Sequence, residues 1–466
     1  MGEFKLKNYN SQDTICAIAT FPSVSALGVI KVSGRMAFAF VAKIFKPARK
    51  LQIRKVKTHT IHYGWIVEKG ENEAIVDEVL VSVMKKPHSY TKEDVAEISA
   101  HGGILVLNKI LKLLIKQGAR QAMPGEFTYR ALTHGRINLV QAEAVRDIVE
   151  ARTDQALQIA QQQLRGELTG KIEELKQELK DIFSQTEASL NCPEDQSEIS
   201  PTLLSKKLNS LKTRLDKLIE ESQGGRVLKE GLKCAICGKA NSGKSTLFNC
   251  LLKEERVITS HIPGTTRDII EEAINIRGLP LRIYDTAGLI EPKDLVTRKA
   301  LEKTNEIFQN SDLIILVLDG SRALDKDDFF LLKKIKGKTV IAAINKIDLK
   351  QKIKDEKLAL KGVTKVRLSA LKGEGIPELE KAIFNTAYHK GLARQNLIFL
   401  SHYQEEFLKK AAGSLSEALS GLAGAGPLDL ANFLLKDALD SLGKLTGEVF
   451  SEEILENIFS SFCIGK

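Results

Sequence analysis

The sequence predicts a multidomain α/β + α protein. It has a β-rich N-terminal domain, a discontinuous central helical domain, and an α/β nucleotide-binding domain inserted between the two helical halves. Three observations predict this. β-Forming residues dominate the first hundred positions, leucines recur every three or four residues in two separated stretches, and a glycine-rich loop lies between those stretches.

Taken in order, Thr14 to Thr20, Gly28 to Ser33, Ile61 to Val67 and Val79 to Met84 are heavy in β-formers and read as strands. A helix is predicted from Gly103 to Gln117, with Ile104, Leu107, Ile110, Leu111 and Leu114 on one face. From about 136 the period changes. Leu164, Leu168, Ile172, Leu175, Leu179 and Ile182 mark one long amphipathic helix, and Leu204, Leu208, Leu211, Leu215 and Leu218 mark another. Gly224-Gly225 is expected to break the helical run before the nucleotide-binding segment. The helical period returns from about 397 to 462, in Leu408, Leu415, Leu419 and Leu422 and again in Leu434, Leu435 and Leu439. An α/β domain whose termini lie close together inserts easily into another domain, so the two halves are read as one helical domain. Two independent helical domains would give the same pattern.

A chain of 466 residues holds two to four domains with sizeable cores. No apolar run approaches the roughly 20 residues that span a bilayer. Met1 to Asn10 lacks the apolar core of a signal peptide, and six scattered Cys fit a reduced, cytoplasmic setting. Cys234 and Cys237 form a Cys-x-x-Cys, but on a strand their spacing puts them on opposite faces, so they read as core residues and not metal ligands. A net charge of +10 favours polyanion partners. That charge reads as dispersed over Lys-rich helices, with no dense basic arm.

The chemistry is carried by Gly238-Lys239-Ala240-Asn241-Ser242-Gly243-Lys244-Ser245, which follows the apolar run Leu232 to Cys237 and leads into the helix-like Thr246-Leu247-Phe248-Asn249. Strand, Gly-x-x-x-x-Gly-Lys-Ser, helix is the context of a phosphate-binding loop. Backbone N–H groups close around phosphate oxygens there, and the helix N-terminus adds positive potential. Lys244 would reach the outer phosphates, and the Ser245 hydroxyl would ligate magnesium. Asp285-Thr286-Ala287-Gly288 ends a second apolar strand, where Asp285 can hold magnesium through water and the Gly288 N–H can meet a γ-phosphate. Asn345-Lys346-Ile347-Asp348 follows the apolar run Val340 to Ile344, and a carboxylate there can accept from guanine's N1 and exocyclic amine. Ser369-Ala370-Leu371 stands where a backbone N–H would contact the guanine O6. In this order and spacing the segments specify GTP over ATP and a Ras-like P-loop GTPase domain.

Further segments carry a family resemblance over essentially the whole length. They are Asp13-Thr14-Ile15, Gly28-Val29-Ile30-Lys31-Val32-Ser33-Gly34, Glu93-Asp94-Val95-Ala96-Glu97, His101-Gly102-Gly103 and Pro124-Gly125-Glu126-Phe127. To these are added Gln141-Ala142-Glu143-Ala144-Val145, Pro263-Gly264-Thr265-Thr266-Arg267-Asp268 and Phe462-Cys463-Ile464-Gly465-Lys466. The chain resembles the bacterial tRNA-modification GTPases of the MnmE (TrmE) family. The resemblance implies a tetrahydrofolate-binding and dimerisation domain over 1–134, a helical domain over 135–224 and 387–466, and the inserted GTPase domain over 225–386. It also implies a cytoplasmic homodimer without membrane attachment. With a flavoprotein partner, MnmG (GidA), which carries the FAD, such a dimer modifies C5 of the wobble uridine of tRNA. The group installed is of the aminomethyl type, its one-carbon unit coming from a tetrahydrofolate derivative.

Site residues follow from the same resemblance. Hydrolysis is expected to be stimulated by K⁺, held by Asn241, Ser260, the Ile262 carbonyl and Thr265, with Ser245 and Thr266 on Mg²⁺. The nucleotide would be lined by Asn241 to Thr246, by Ser260, His261, Ile262, Pro263, Gly264, Thr265 and Thr266, and by Asp285 to Gly288. Asn345, Lys346, Asp348, Ser369, Ala370 and Leu371 would surround the base. Folate would be held by Lys31, Glu97, Arg136 and Lys466, with Cys463 near the one-carbon unit.

The chain departs from the family pattern at several points. Lys31 stands where Arg is usual, Arg136 where Lys is usual, Lys92 where Gly is usual, and Ile290 where Arg is usual. The Glu expected nine residues after Gly288, which orients the attacking water, is Thr297. A hydroxyl cannot take up a proton as a carboxylate can, so hydrolysis is expected to be slow or rerouted through Glu291, Asp294 or Glu302. A regulatory or assembly GTPase acting as a nucleotide-gated binding module is the competing reading, and the GTPase domain alone does not separate the two. The N-terminal and C-terminal segments favour tRNA modification.

Overall fold

The computed structural model describes residues 3–21, 23–70, 73–151, 153–191, 200–252, 271–285, 307–353, 363–387, 398–424, 426–446 and 451–466. The chain divides into two compact units, the first comprising Met1–Arg146, Leu164–Lys176 and Asp440–Lys466, the second Asp147–Gln163 and Gln177–Leu439.

The first unit is built on a seven-stranded sheet. Its strands are β1 (Ile15–Ile18), β2 (Ser25–Ser33), β3 (Phe45–Pro47), β4 (Thr60–Glu68), β5 (Ala74–Met84), β6 (Val95–Gly102) and β7 (Arg120–Gln121), in the order β3-β4-β5-β6-β2-β1-β7. Only β1 with β7 is parallel. Helices α1 (Ala37–Ile44) and α2 (Ile104–Lys116) cover one sheet face, burying Ile30, Val32, Val81, Val83, Ile98, Leu107, Ile110 and Leu114 in one core. The alternation along β2, β5 and β6 turns every second residue to the other face. There Ile15 and Ala17 pack with Phe127 of α3 (Glu126–Thr133), and Ile464 lies against them. The chain's last residues are tied in by main-chain bonds, Gly125 N–H to the Cys463 carbonyl at 3.4 Å and Phe127 N–H to the Lys466 main-chain oxygen at 3.2 Å.

Charge in this unit corrects the expectation of dispersal. Six Lys or Arg fall between Lys46 and Lys57, in a stretch from 14 to 67 that has no Asp or Glu. The helices behave differently, because Lys212–Asp216, Arg214–Glu178, Arg226–Glu230 and Lys229–Asp147 pair their cations locally.

The second unit holds a six-stranded sheet of β8 (Leu232–Gly238), β9 (Glu271–Ile276), β10 (Leu279–Asp285), β11 (Leu313–Asp319), β12 (Val340–Asn345) and β13 (Thr364–Arg367). Its order is β13-β12-β11-β8-β10-β9, parallel except for the edge strand β9. Cys234 and Cys237 do lie on opposite faces of β8, Cys234 among Ile236, Leu281 and Leu313, Cys237 among Ala235, Ile314 and Leu316. Burial pushes both thiols up, Cys237 to about 12, so both stay protonated packing residues.

Helices complete the chain. α4 (Leu139–Glu150), α5 (Asp154–Leu164), α6 (Glu167–Asn191) and α7 (Pro201–Glu230) precede the second sheet. The predicted stripes are buried in full from Leu168 to Ile182 on α6 and from Leu204 to Leu218 on α7. The break expected at Gly224-Gly225 does not occur. α7 runs through the pair and ends at Gly231, whose φ is +83°. A Cβ at Gly225 would collide with the Ile398 carbonyl, so that glycine serves a close approach of two chain segments and not a helix end. α8 (Lys244–Leu252), α9 (Lys326–Lys334) and α10 (Ile376–Ala387) belong to the second sheet, followed by α11 (His402–Ala423), α12 (Leu428–Thr446) and α13 (Glu452–Ser460).

Candidate functional site

Strand order alone locates the first site. From β8 the chain goes on to β10 on one side and then crosses to β11 on the other, so the crevice at the carboxyl end of β8 is the switch point where such sheets bind ligands. The loop 239–243 leaves β8 there and enters α8 at Lys244. It is shaped by left-handed backbone at Asn241 (φ +62°) and Gly243 (φ +98°). The Lys244 ammonium donates to the Lys239 carbonyl at 2.7 Å, inside the loop that would take phosphate. Ser245 and Thr246 are exposed at the start of α8, as is Asn241 on the loop. The backbone of Asp285 ends β10 in register with Ile236 of β8, beside the same edge.

A second set of contacts assembles the base side. Asn345, at the end of β12, donates from Nδ2 to the Ser242 carbonyl and accepts on Oδ1 from the Ala370 N–H, each at 2.9 Å. The phosphate loop and the Ser369-Ala370-Leu371 turn are thereby held by one buried carboxamide. Lys346 has φ +65°, and its ammonium meets Asp319 at 2.7 Å. Burial by itself would raise Asp319, but Lys346 and the Ser321 donors hold its carboxyl below the usual range. The Ser369 hydroxyl likewise holds Asp348 below the ordinary carboxylate range. One oxygen of Asp348, Oδ1, is buried without a partner among the described residues. An anionic oxygen in that state is open to a donor. The paired N–H groups of guanine's N1 and amine fit it, and adenine lacks them. Leu371 is exposed beside this turn, its side chain 79% accessible.

The other set of expected residues converges in the first unit. Lys31 and Glu97 are directly opposed across β2 and β6, with Nζ and Oε1 3.9 Å apart. That is an ion pair too long for a hydrogen bond, and it leaves Glu97 free to accept from another N–H group. Tyr90 joins them. The Lys31 ammonium lies 5.8 Å and the Arg136 guanidinium 4.6 Å from its ring centroid, and its hydroxyl is 2.9 Å from Thr128 Oγ1. Burial holds the Lys31 ammonium below the ordinary lysine range, with Glu97 opposing and the charge of Lys466 adding to the shift. Lys31 and Arg136 both lie over the Tyr90 ring and the charge of Lys466 is felt at Lys31, an excess of cations over Glu97 that suits a ligand with carboxylates and a flat ring edge. Cys463 is exposed, and its carbonyl accepts from Gly125.

Comparison with known proteins follows this division. A family profile described as the MnmE helical domain matches residues 139–463, and one described as the GTP-binding protein TrmE N-terminus matches 14–136. The tRNA modification GTPase MnmE of Thermoanaerobacter pseudethanolicus is 45% identical over 460 residues, covering 97% of this chain and 99% of the relative. The chain belongs to the MnmE family. The proteins of the same name from Clostridioides difficile (44% over 460 residues) and Bacillus subtilis (39% over 459 residues) cover 97% of this chain, with 99% and 100% of their own lengths.

Within the MnmE frame, several expected residues lie outside the described ones: Ser260, His261, Ile262, Pro263, Gly264, Thr265, Thr266, Thr286, Ala287, Gly288, Glu291 and Thr297. Tyr90 was missed in the sequence. A single aromatic between Ser89 and Thr91 has no periodic signal, and only the fold brings it under Lys31 and Arg136. Lys92, where the family resemblance implies Gly, has φ +58°, a left-handed backbone that favours glycine. Its ammonium donates to the Gly135 carbonyl at 3.0 Å, next to Arg136.

Proposed function

We propose that this protein is a GTP hydrolase of tRNA modification that, with a flavoprotein partner of the MnmG type, modifies C5 of the wobble uridine using a tetrahydrofolate one-carbon unit. The observation that carries the reading is that Lys31 and Arg136 lie over Tyr90, Lys31 opposite Glu97 and under the charge of Lys466, in a chain that also has the Asn345-linked phosphate loop. A regulatory GTPase has no need of a second, folate-like site.

In this reading the domains divide as 1–134, 135–224 with 387–466, and 225–386. Glu97 accepts from the pterin edge, while Lys31, Arg136 and Lys466 hold the carboxylate tail. Asp348 and a backbone N–H of the Ser369-Ala370-Leu371 turn read the guanine, and Lys244 leaves the Lys239 carbonyl for the outer phosphates. Ser245 and Thr266 hold Mg²⁺. Asn241, Ser260, Ile262 and Thr265 hold K⁺, whose charge neutralises the phosphates where many GTPases use an arginine. Asp285 and Gly288 complete the hydrolytic site, and Cys463 stands at the one-carbon unit. The tRNA reading also places the protein in the cytoplasm.

A homodimer through the first unit is supported by its uncovered sheet face. Tyr63 of β4 is opposite Leu80 of β5, each 45% exposed, and Ile61 and Leu27 on the same face are 66% and 65% exposed. The adjoining Ile61, Tyr63 and Leu80 form an exposed apolar patch of the kind that marks an association surface.

The test is mass spectrometry of wobble nucleosides from cells lacking the protein. Loss of the C5 substituent, restored by the intact chain but not by Glu97→Ala, is expected. Unchanged wobble uridines would remove the reading.

A further inference from the structure

Between Asp13 and Glu68 the chain has nine Lys or Arg and no carboxylate side chain. The fold collects most of that charge at one end of the first unit's sheet. Residues 48–59 connect β3 to β4, and Lys85 and Lys86 follow the end of β5. The Lys85 ammonium donates to the Arg54 carbonyl at 3.3 Å, the Lys85 N–H to the Thr58 hydroxyl at 3.0 Å, and the His59 N–H to the Val83 carbonyl at 2.7 Å. These bonds bring the two cationic segments together.

The connection is anchored from inside. Ile53 is buried in the sheet core, with Leu51 and Val56 packed against it. Arg49, Lys50, Arg54, Lys55 and Lys57 are exposed between those anchors, and Lys86 is exposed beside them. None of these six forms an ion pair among the described residues. Lys46 does, with Glu73 at 2.8 Å, and Asp94 accepts the Lys86 backbone N–H and not its ammonium. Several basic side chains of the helices are neutralised by neighbouring carboxylates, whereas this anchored cluster is left open, a docking site for external anions.

We infer that this cationic end of the sheet binds the phosphate backbone of tRNA. The inference rests on the tRNA reading proposed above and names the surface that would do the binding. Apolar residues of the segment point inward, whereas surfaces that settle on anionic membranes interleave exposed apolar side chains with cations. The position also fits. Lys31, Glu97, Ser82 and Ile61 form one cross-strand row, so the end of β4 beside Lys57 lies three strands, about 14 Å, from Lys31.

The experiment is fluorescence anisotropy of labelled tRNA with the full-length chain across a salt series. The variant is Arg54→Gln/Lys55→Gln/Lys57→Gln. A control removes three exposed lysines of the second unit, Lys206→Gln/Lys381→Gln/Lys436→Gln. Each phosphate contact adds about 0.9 to the slope of log affinity against log salt. The first variant should therefore lose about two to three units of slope and bind at least ten-fold more weakly at about 0.1 M salt. The control should match wild type, and GTP hydrolysis should be unchanged in both. Equal weakening by the control would overturn the site, as would loss of binding to phosphatidylserine vesicles with tRNA binding intact. If wild type binds tRNA and the first variant binds equally well, this inference alone falls. If wild type does not bind tRNA at all, the functional reading falls with it.

Discussion

Asn345 is bonded to Ser242 across the nucleotide crevice, its Nδ2 2.9 Å from the Ser242 carbonyl. The same carboxamide accepts the Ala370 N–H, so the loop for phosphate and the turn for the base are set by one side chain. Gly243 lies so close that a Cβ there would collide with Asn345 Nδ2. The spacing of two loops far apart in sequence is thus fixed before any nucleotide arrives, which lowers the ordering cost of binding.

Asn345→Ala should therefore loosen both loops. It leaves two buried main-chain groups without partners, each worth about 1–3 kcal/mol. Affinity for a fluorescent GDP analogue is expected to fall at least ten-fold, which corresponds to about 1.4 kcal/mol. Asn345→Asp keeps the acceptor and loses the donor, so it should fall between. Wild-type affinity in the alanine variant would show that Ser242 and Ala370 are held by other contacts.

Legibility in the sequence depended on whether the signal was local. The α6 and α7 stripes were legible because helical period forces those leucines onto one buried face. The phosphate loop was legible because glycine and lysine spacing has few other uses. Tyr90 was not, because its partners Lys31 and Arg136 are distant along the chain. Gly224-Gly225 misled for the same reason: glycine signals a helix end or a close approach, and the approaching residue is Ile398. The basic cluster also needed the fold, since Lys85 and Lys86 join Arg54 only through β4–β5 pairing.

Lys31 gives a pH prediction. Its folded pKa is held below the ordinary 10.5, chiefly by burial, so between the two values the unfolded chain binds more protons. Stability contributed by this site must then rise with pH over that alkaline window. Lys31→Met removes the buried charge. At pH 7 it should raise the melting transition of the first unit, with roughly 2–4 °C for each kcal/mol at this size. The gain should shrink as pH climbs toward 10.5. Calorimetric titration with 5-formyl-tetrahydrofolate should show weaker binding by the same variant and by Glu97→Ala. A gain independent of pH would mean that methionine improves packing and that charge is irrelevant.

Potassium should accelerate GTP hydrolysis strongly over sodium, because Asn241 offers an exposed carboxamide oxygen on a left-handed turn of the phosphate loop. Asn241→Ala should remove the difference between the ions while sparing nucleotide affinity. Steady-state rates in matched K⁺ and Na⁺ buffers, alongside GDP titrations, check both halves. Equal rates in wild type would count against the ion site, and lost nucleotide binding in the variant would mean that Asn241 shapes the loop instead.

Thr297 stands where the family resemblance implies a carboxylate orienting the attacking water, and it lies outside the described residues with Glu291 and Asp294. If the missing carboxylate limits hydrolysis, Thr297→Glu should raise kcat in K⁺ with little change in GTP affinity. Positioned proton-accepting groups contribute about 10²–10⁴-fold, so even an imperfect restoration is measurable. A neighbouring acid that already performs the task gives the opposite pattern. Glu291→Ala or Asp294→Ala would then cripple hydrolysis, and Thr297→Glu would change nothing. Single-turnover rates distinguish these accounts because they report the chemical step without product release. If all three variants hydrolyse at the wild-type single-turnover rate, neither a carboxylate at 297 nor those two acids position the water, and Glu302 becomes the next side chain to replace.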